Sequence, residues 1–257
     1  MDWNWVNRRA EKPRVSGVTM VIDTGIGPRI FADLLESAGR YIDFVKLGFG
    51  TTALTAPHIL QQKLELAKKH DVLLFPGGTF FELAYAKGQW ETYLEKMEAL
   101  GFPAVEISEG TLSLPETMRE QIVRAASQSF HVLTEVGKKT KGSHVTLEEL
   151  AQTYASDIAC GASYVIVEGR ESGKDVGIYD ADGRLDPQFV LAARKETGKK
   201  LLWEAPLKSQ QVDLIRLFGP DVNLGNVSTG STLAVEALRR GLRADTFSLN
   251  FRAEVPI

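Results

Sequence analysis

Eight short runs rich in β-forming residues recur along this chain, with helix-like stretches between them. The runs span residues 18–23, 41–48, 71–78, 104–110, 131–138, 164–169, 201–206 and 221–227. The stretches 59–69, 89–100, 115–129 and 147–160 carry helical patterning. The last opens with Thr146-Leu147-Glu148-Glu149, a capping-box pattern in which the Thr hydroxyl bonds a free amide while Glu149 reaches back. Strands that alternate with helices form parallel βαβ units, and eight such units close into a barrel. The length of 257 residues matches the roughly 250 that a (β/α)₈ barrel takes. The expected fold is therefore α/β, a single TIM barrel over 1–257. An N-terminal extension covers 1–16 and a C-terminal tail 248–257.

A doubly wound open sheet also alternates strand and helix, but it carries a glycine-rich turn after its first strand. Here that turn reads Thr24-Gly25-Ile26-Gly27-Pro28, and Ile30 stands where the dinucleotide fingerprint needs its third glycine. Hydrophobic residues at 44% suffice for a large core, and a net charge of -3 argues against a broad nucleic-acid face. No run approaches the roughly 20 apolar residues of a membrane span. The amino terminus lacks the apolar core of a signal peptide, and the single Cys160 fits a reducing cytoplasm as a buried structural thiol. Trp3 and Trp5 are expected to pack onto the barrel or a neighbouring subunit, and a homo-oligomer is expected.

The ends of the runs carry the functional signal. Asp23, Lys46, Glu106, Glu135, Glu168, Glu204 and Asn223 each place a polar group near a carboxyl end, and Pro76-Gly77-Gly78-Thr79 leaves room in the remaining run. A carboxylate on the outer face of a barrel would be buried without water, at a cost of several kcal/mol. The mouth of the interior is where such groups meet solvent, metal or substrate. One lysine balances four glutamates poorly, so the ring calls for a cation, for protonation, or for bases from the loops.

The loops contain bases: Lys138, Lys139 and Lys141 after the fifth run, Arg170 and Lys174 after the sixth, and Lys208 after the seventh. Carboxylates beside such loops suit a hard metal such as Mg²⁺, with Asp23, Glu106, Glu135, Glu168 and Glu204 as candidate ligands. Lys139 and Lys141 read more simply as a solvated charge run. His58, His70, His131 and His144 show no metal-site spacing, and there is no nucleophile elbow.

At these same residues the chain resembles the phosphosulfolactate synthase family. The resemblance lies in Tyr41-Ile42-Asp43-Phe44-Val45-Lys46, Pro76-Gly77-Gly78-Thr79, Val105-Glu106-Ile107-Ser108, Leu133-Thr134-Glu135-Val136-Gly137-Lys138-Lys139, Glu168-Gly169-Arg170-Glu171-Ser172-Gly173, Glu204-Ala205-Pro206 and Leu238-Arg239-Arg240-Gly241-Leu242-Arg243. It implies addition of sulfite to phosphoenolpyruvate with Mg²⁺, giving (2R)-phospho-3-sulfolactate. In methanogens this step begins coenzyme M synthesis, and some bacteria carry relatives linked to sulfolactate. On that reading Lys138 is the candidate general acid and Lys46 the second. Arg170 and Lys174 are candidates for phosphate or sulfite, and Gly225 and Asn226 for a phosphate site after the last strand. Two rivals stay open: a barrel aldolase that forms a Schiff base at Lys46, and a non-catalytic metabolite-binding barrel.

Overall fold

The computed structural model describes residues 3–251, so the ends of both expected terminal segments, residues 1–2 and 252–257, lie outside the described residues. Ten strands form among the described residues: β1 Thr19–Asp23, β2 Phe44–Leu47, β3 Leu73–Pro76, β4 Ala104–Ile107, β5 His131–Val136, β6 Ser143–His144, β7 Tyr164–Val167, β8 Val176–Gly177, β9 Leu201–Glu204 and β10 Leu224–Ser228. Eight of them make one parallel sheet in the order β3-β2-β1-β10-β9-β7-β5-β4, and β6 pairs with β8 as a separate ladder. β3 and β4 lie side by side at the two edges, so the sheet curls nearly into a closed barrel. The helices that cover it are α1 Pro28–Ala38, α2 Thr51–Leu54, α3 Pro57–Lys69, α4 Gly78–Ala86, α5 Trp90–Leu100, α6 Glu116–Ala126, α7 Leu147–Ala159, α8 Pro187–Thr197, α9 Lys208–Phe218 and α10 Thr232–Arg239. No helix among the described residues is long and apolar enough to cross a membrane.

Local chemistry explains several boundaries. Proline opens α1, α3 and α8, where its missing N–H costs nothing. Thr146 accepts from Glu149 N–H at 3.1 Å, which is the hydroxyl half of the capping pattern. The core divides in two. Val45, Leu47, Val105, Ile107, Val165 and Val167 face outward onto the helices. Met20, Phe44, Phe75, Ala104, Leu133, Ile166 and Leu202 fill the barrel interior. Side chains two apart share a face of a strand. Residues two beyond the interior layer must therefore stack above it, at the carboxyl-terminal mouth.

β10 breaks this register. Thr19 pairs with Leu224 but Val21 with Val227, which leaves one extra residue on β10. Asn226 takes the left-handed conformation there, at φ 51°, a conformation that one type of bulge uses. Asn223, expected at a carboxyl end, precedes β10 at its amino end. It accepts from Val18 N–H and donates to the carbonyls of Lys199 and Leu201, so it ties strands together at the closed end of the barrel. Trp3 and Trp5 pack edge to face on each other and stay 51% and 73% exposed, rather than packing onto the barrel. The expected tail from 248 is, as far as Phe251, part of a run of 3₁₀ turns over Ala244–Phe251.

Outside the barrel wall, Arg119 on α6 forms a buried ion pair with Asp157 on α7 at 2.6 Å and donates to Glu135 O at 3.1 Å. Removing one partner of a buried pair leaves a charge without compensation. Arg119→Met is expected to lower stability by about 3–5 kcal/mol in urea denaturation. Adding Asp157→Asn should restore part of that loss. A change below about 1 kcal/mol in Arg119→Met would show the pair to be dispensable.

Candidate active site

The stacking rule places five charged residues together. Lys46 stands above Phe44, Glu106 above Ala104, Glu135 above Leu133, Glu168 above Ile166 and Glu204 above Leu202, all buried at the mouth. Lys46 Nζ lies 3.0 Å from Glu106, 3.0 Å from Glu204 and 3.5 Å from Glu135. Lys139 reaches in from the loop after β5 to Glu135, and its Nζ lies 3.1 Å from Glu168. These groups line a cavity of about 560 Å³, with Arg170 and Asn226. Phe49, Leu54, Phe80 and Leu83 add apolar side chains to the same lining.

Position within this cluster sets each protonation state. Burial pushes Glu106 up, and Lys46 only partly offsets it, leaving a pKa of about 8. Burial also opposes the charged form of Glu135, but Lys139 and Lys46 overcome it and hold the group at about 2. Glu168 is raised by burial and by the carboxylates of Glu135 and Glu204. Burial disfavours the charge on Lys46, yet Glu106, Glu204, Glu135 and Glu168 outweigh it and keep the ammonium protonated.

Three of the carboxylates can hold a cation. Glu135, Glu168 and Glu204 bring one oxygen each within 4.8 Å of one another. Glu106 Oε1 is buried without a partner, and Glu106 Oε2 and Glu168 Oε2 meet only the ammonium groups of Lys46 and Lys139. Buried carboxylate oxygens that are short of donors form a hard set that suits Mg²⁺. The other oxygens are already placed. Glu168 Oε1 accepts from Arg170 N–H at 2.6 Å, and Glu204 Oε2 accepts from the amides of Gly169 and Arg170 at 3.0 Å.

Five of the expected site residues lie elsewhere, besides Asn223. Asp23 has the parity of the outward-facing Val21, so it points at α3, where Lys63 meets it at 2.6 Å. It also accepts from the amides of Gly25 and Ile26, which makes it a structural ion pair and turn anchor rather than a metal ligand. Lys138 turns away from the mouth and donates to the carbonyls of Glu109 and Leu112 at 2.8 and 2.9 Å. It therefore holds a loop, while Lys139, read as a solvated charge, is the base that enters the site. Lys174 lines a separate shallow cavity with Lys141, Glu171 and Asp175, and Arg170 borders both cavities. Lys208 pairs with Asp245 at 2.8 Å on the outside. Gly225 lies within the barrel wall, where a Cβ would meet Leu202 and Met20 side chains, and so is not at a phosphate site. Asn226 does line the cavity, with Nδ2 3.3 Å from Arg170 O and a buried Oδ1 without a partner. Glu82 on α4, Lys63 on α3 and Arg119 on α6 escaped the sequence reading because each sits within a helix.

The shifts predict how the free protein responds to pH. Glu106 holds its proton up to about pH 8 when folded and releases it near the ordinary 4.5 when unfolded. The folded state thus binds more protons across that window, and stability falls as pH rises through it. Denaturation across this range should show the decline, and Glu106→Gln should make it shallower. Glu168 acts in the same direction and preserves a residual slope. An unaltered slope in the variant would place the effect elsewhere.

Comparison with known proteins shows the family. A family model described as (2R)-phospho-3-sulfolactate synthase (ComA) matches residues 7–245. The phosphosulfolactate synthase of Methanocaldococcus jannaschii is 43% identical over 235 residues, which cover 90% of this chain and 94% of that protein. That of Methanothermobacter thermautotrophicus is 40% identical over 242 residues, covering 93% and 94%. Among solved structures, the YdjI aldolase of Escherichia coli K12 superposes with a TM-score of 0.59 at 12% identity, covering 87% of this chain and 80% of that one, a likeness of fold alone. The chain belongs to the (2R)-phospho-3-sulfolactate synthase family.

Proposed function

We propose that this chain adds sulfite to phosphoenolpyruvate, with Mg²⁺, to give (2R)-phospho-3-sulfolactate. The observation that carries the reading is the buried ammonium of Lys46 and the half-buried one of Lys139 among four buried glutamates at the mouth of a barrel of this family. Both substrates are anions, so a site that joins them needs concentrated positive charge in a sheltered place. The sulfur lone pair forms the new bond to the terminal methylene carbon. The double-bond electrons move toward the carboxylate, and a proton then reaches the carbon that bears phosphate.

Glu135, Glu168 and Glu204 would hold the metal, which when bound stabilises the negative charge that builds on the substrate carboxylate. Lys46 is the proton donor we assign, since it faces the cavity and Lys138 does not, and a cation held by Glu135 and Glu204 would relieve the hold of those carboxylates on its proton. Lys139 supplies counter-charge beside it, and Arg170 and Asn226 line the cavity, where they would meet the substrate's outer oxygens. The same surroundings speak against a Schiff base at Lys46, because its carboxylate partners keep the amine protonated and so not nucleophilic. We also place the protein in the cytoplasm, as a homo-oligomer. The buried free thiol of Cys160 and the exposed Leu242, Phe247 and Phe251 support that view.

Loss of phosphoenolpyruvate, measured with and without sulfite, tests the reaction. Turnover is expected only with sulfite and a divalent cation, and full activity in chelator would overturn the metal's role. Lys46→Ala should lower kcat by roughly 10²–10⁴-fold, the usual size of acid catalysis. Lys138→Ala should cost far less, since only loop contacts are lost. Equal losses in the two variants would return Lys138 to the chemistry.

A further inference from the structure

Glu82 has no role in the reaction as drawn, yet it is 1% exposed and its carboxylate is crowded with partners. Oε1 accepts from Ser108 Oγ at 2.5 Å. Oε2 accepts from Thr111 N–H at 2.7 Å and from Thr111 Oγ1. Lys139 Nζ lies 3.8 Å from Oε1. Helix α4 reaches this close to β4 because its first residue is glycine. A Cβ on Gly78 would lie 2.3 Å from Ser108 Oγ and 2.6 Å from Glu106 Oε1.

Lys139 is also confined from the loop side. Its amide donates to Gly110 O at 2.9 Å, and its side chain crosses Gly110. A Cβ there would lie 2.6 Å from Nζ, 2.8 Å from Cγ and 2.9 Å from Cδ. Glu135 and Glu168 take the ammonium at its far end. A lysine is a point charge on a flexible four-carbon stem, so its location has to be imposed by its neighbours.

We propose that Glu82 is a positioning residue. It pins loop 108–111 and, with Gly110, fixes the Lys139 ammonium at the rim of the cavity, where the charge meets the substrates without reorganising. The inference rests on the reading of this cavity as the site of sulfite addition. Preorganised charge acts in the transition state more than in substrate binding, so loss of Glu82 should appear in kcat rather than KM.

Glu82→Gln keeps the shape and removes the charge that faces Lys139. Its kcat should fall about 10–100-fold, in line with the cost of a misplacement of about 1 Å, while KM for phosphoenolpyruvate changes less than about threefold. Gly110→Ala pushes Lys139 aside without touching Glu82, and should give the same loss in kcat. In a Lys139→Met background, Glu82→Gln should cause no further loss, because contacting residues that act through one another are not additive. A full additional loss in that background, a loss confined to KM, or near-normal kcat in either single variant overturns the proposal. Wild-type enzyme assayed alongside separates the two readings. If it does not consume phosphoenolpyruvate with sulfite, the reaction falls, and the ¹⁵N signal of the Lys139 ammonium still tests Glu82. That signal should be ordered in the wild type and mobile in Glu82→Gln, and identical signals would overturn the positioning role.

Discussion

The mouth of this barrel depends on one buried ammonium group. Lys46 stands among Glu106, Glu135 and Glu204, and each needs it to offset the loss of water. It cannot serve all of them. Glu135 touches both Lys46 and Lys139 and is held ionised, whereas Glu106 has only Lys46 close by and keeps its proton to about pH 8. Two glutamates at the same depth are thus driven in opposite directions by their distance from two lysines. Carboxyl groups whose pKa values are pushed apart in this way are a mark of sites that move protons or gather cations.

The barrel was legible because alternation of strand and helix is a property of residue spacing, and because four of the five glutamate- and lysine-bearing strands carry an apolar residue of the interior layer two positions earlier that is large enough to fix the face. The same parity separates Asp23 from the others. Val21 faces the helices, so Asp23 does too, and Lys63 is the partner that makes a buried carboxylate tolerable there. Asn223 was misplaced for a different reason. The run 221–227 has no internal sign of where hydrogen bonding begins, and the bulge at Asn226 shifts the register by one residue.

Loops and helices hid the rest. Which of two adjacent lysines enters a site depends on the turn before them, and Gly137 at φ 112° sets that turn. A Cβ at this position would also lie 2.9 Å from Glu168 Cβ, so the glycine lets the end of β5 pass its neighbour. Glu82 reads in sequence as an ordinary charge within a helix. Its only signal is the Gly77-Gly78 pair before it, whose meaning is close approach: Gly77 stands 3.0 Å, by its absent Cβ, from Leu47 O, and Gly78 stands against Ser108.

The charged and the apolar lining of the cavity work together. Lys46, Lys139 and the glutamates carry charge, while Phe49, Phe80 and Leu83 in the same lining offer no side-chain donor or acceptor. An apolar wall lowers the local dielectric and strengthens the field of each ammonium on an anion between them. Phosphoenolpyruvate and sulfite have little apolar surface of their own, so this wall contributes to the proposed reaction chiefly by excluding water. Phe49 shows the cost of placing it. It holds φ at 55° between Gly48 and Gly50 and remains 61% exposed, three residues after Lys46. A bulky side chain in that conformation is unusual, and such strain persists where surrounding structure enforces it. The strand that delivers the central cation thus leads directly into a loop that supplies part of the apolar lining of the same cavity.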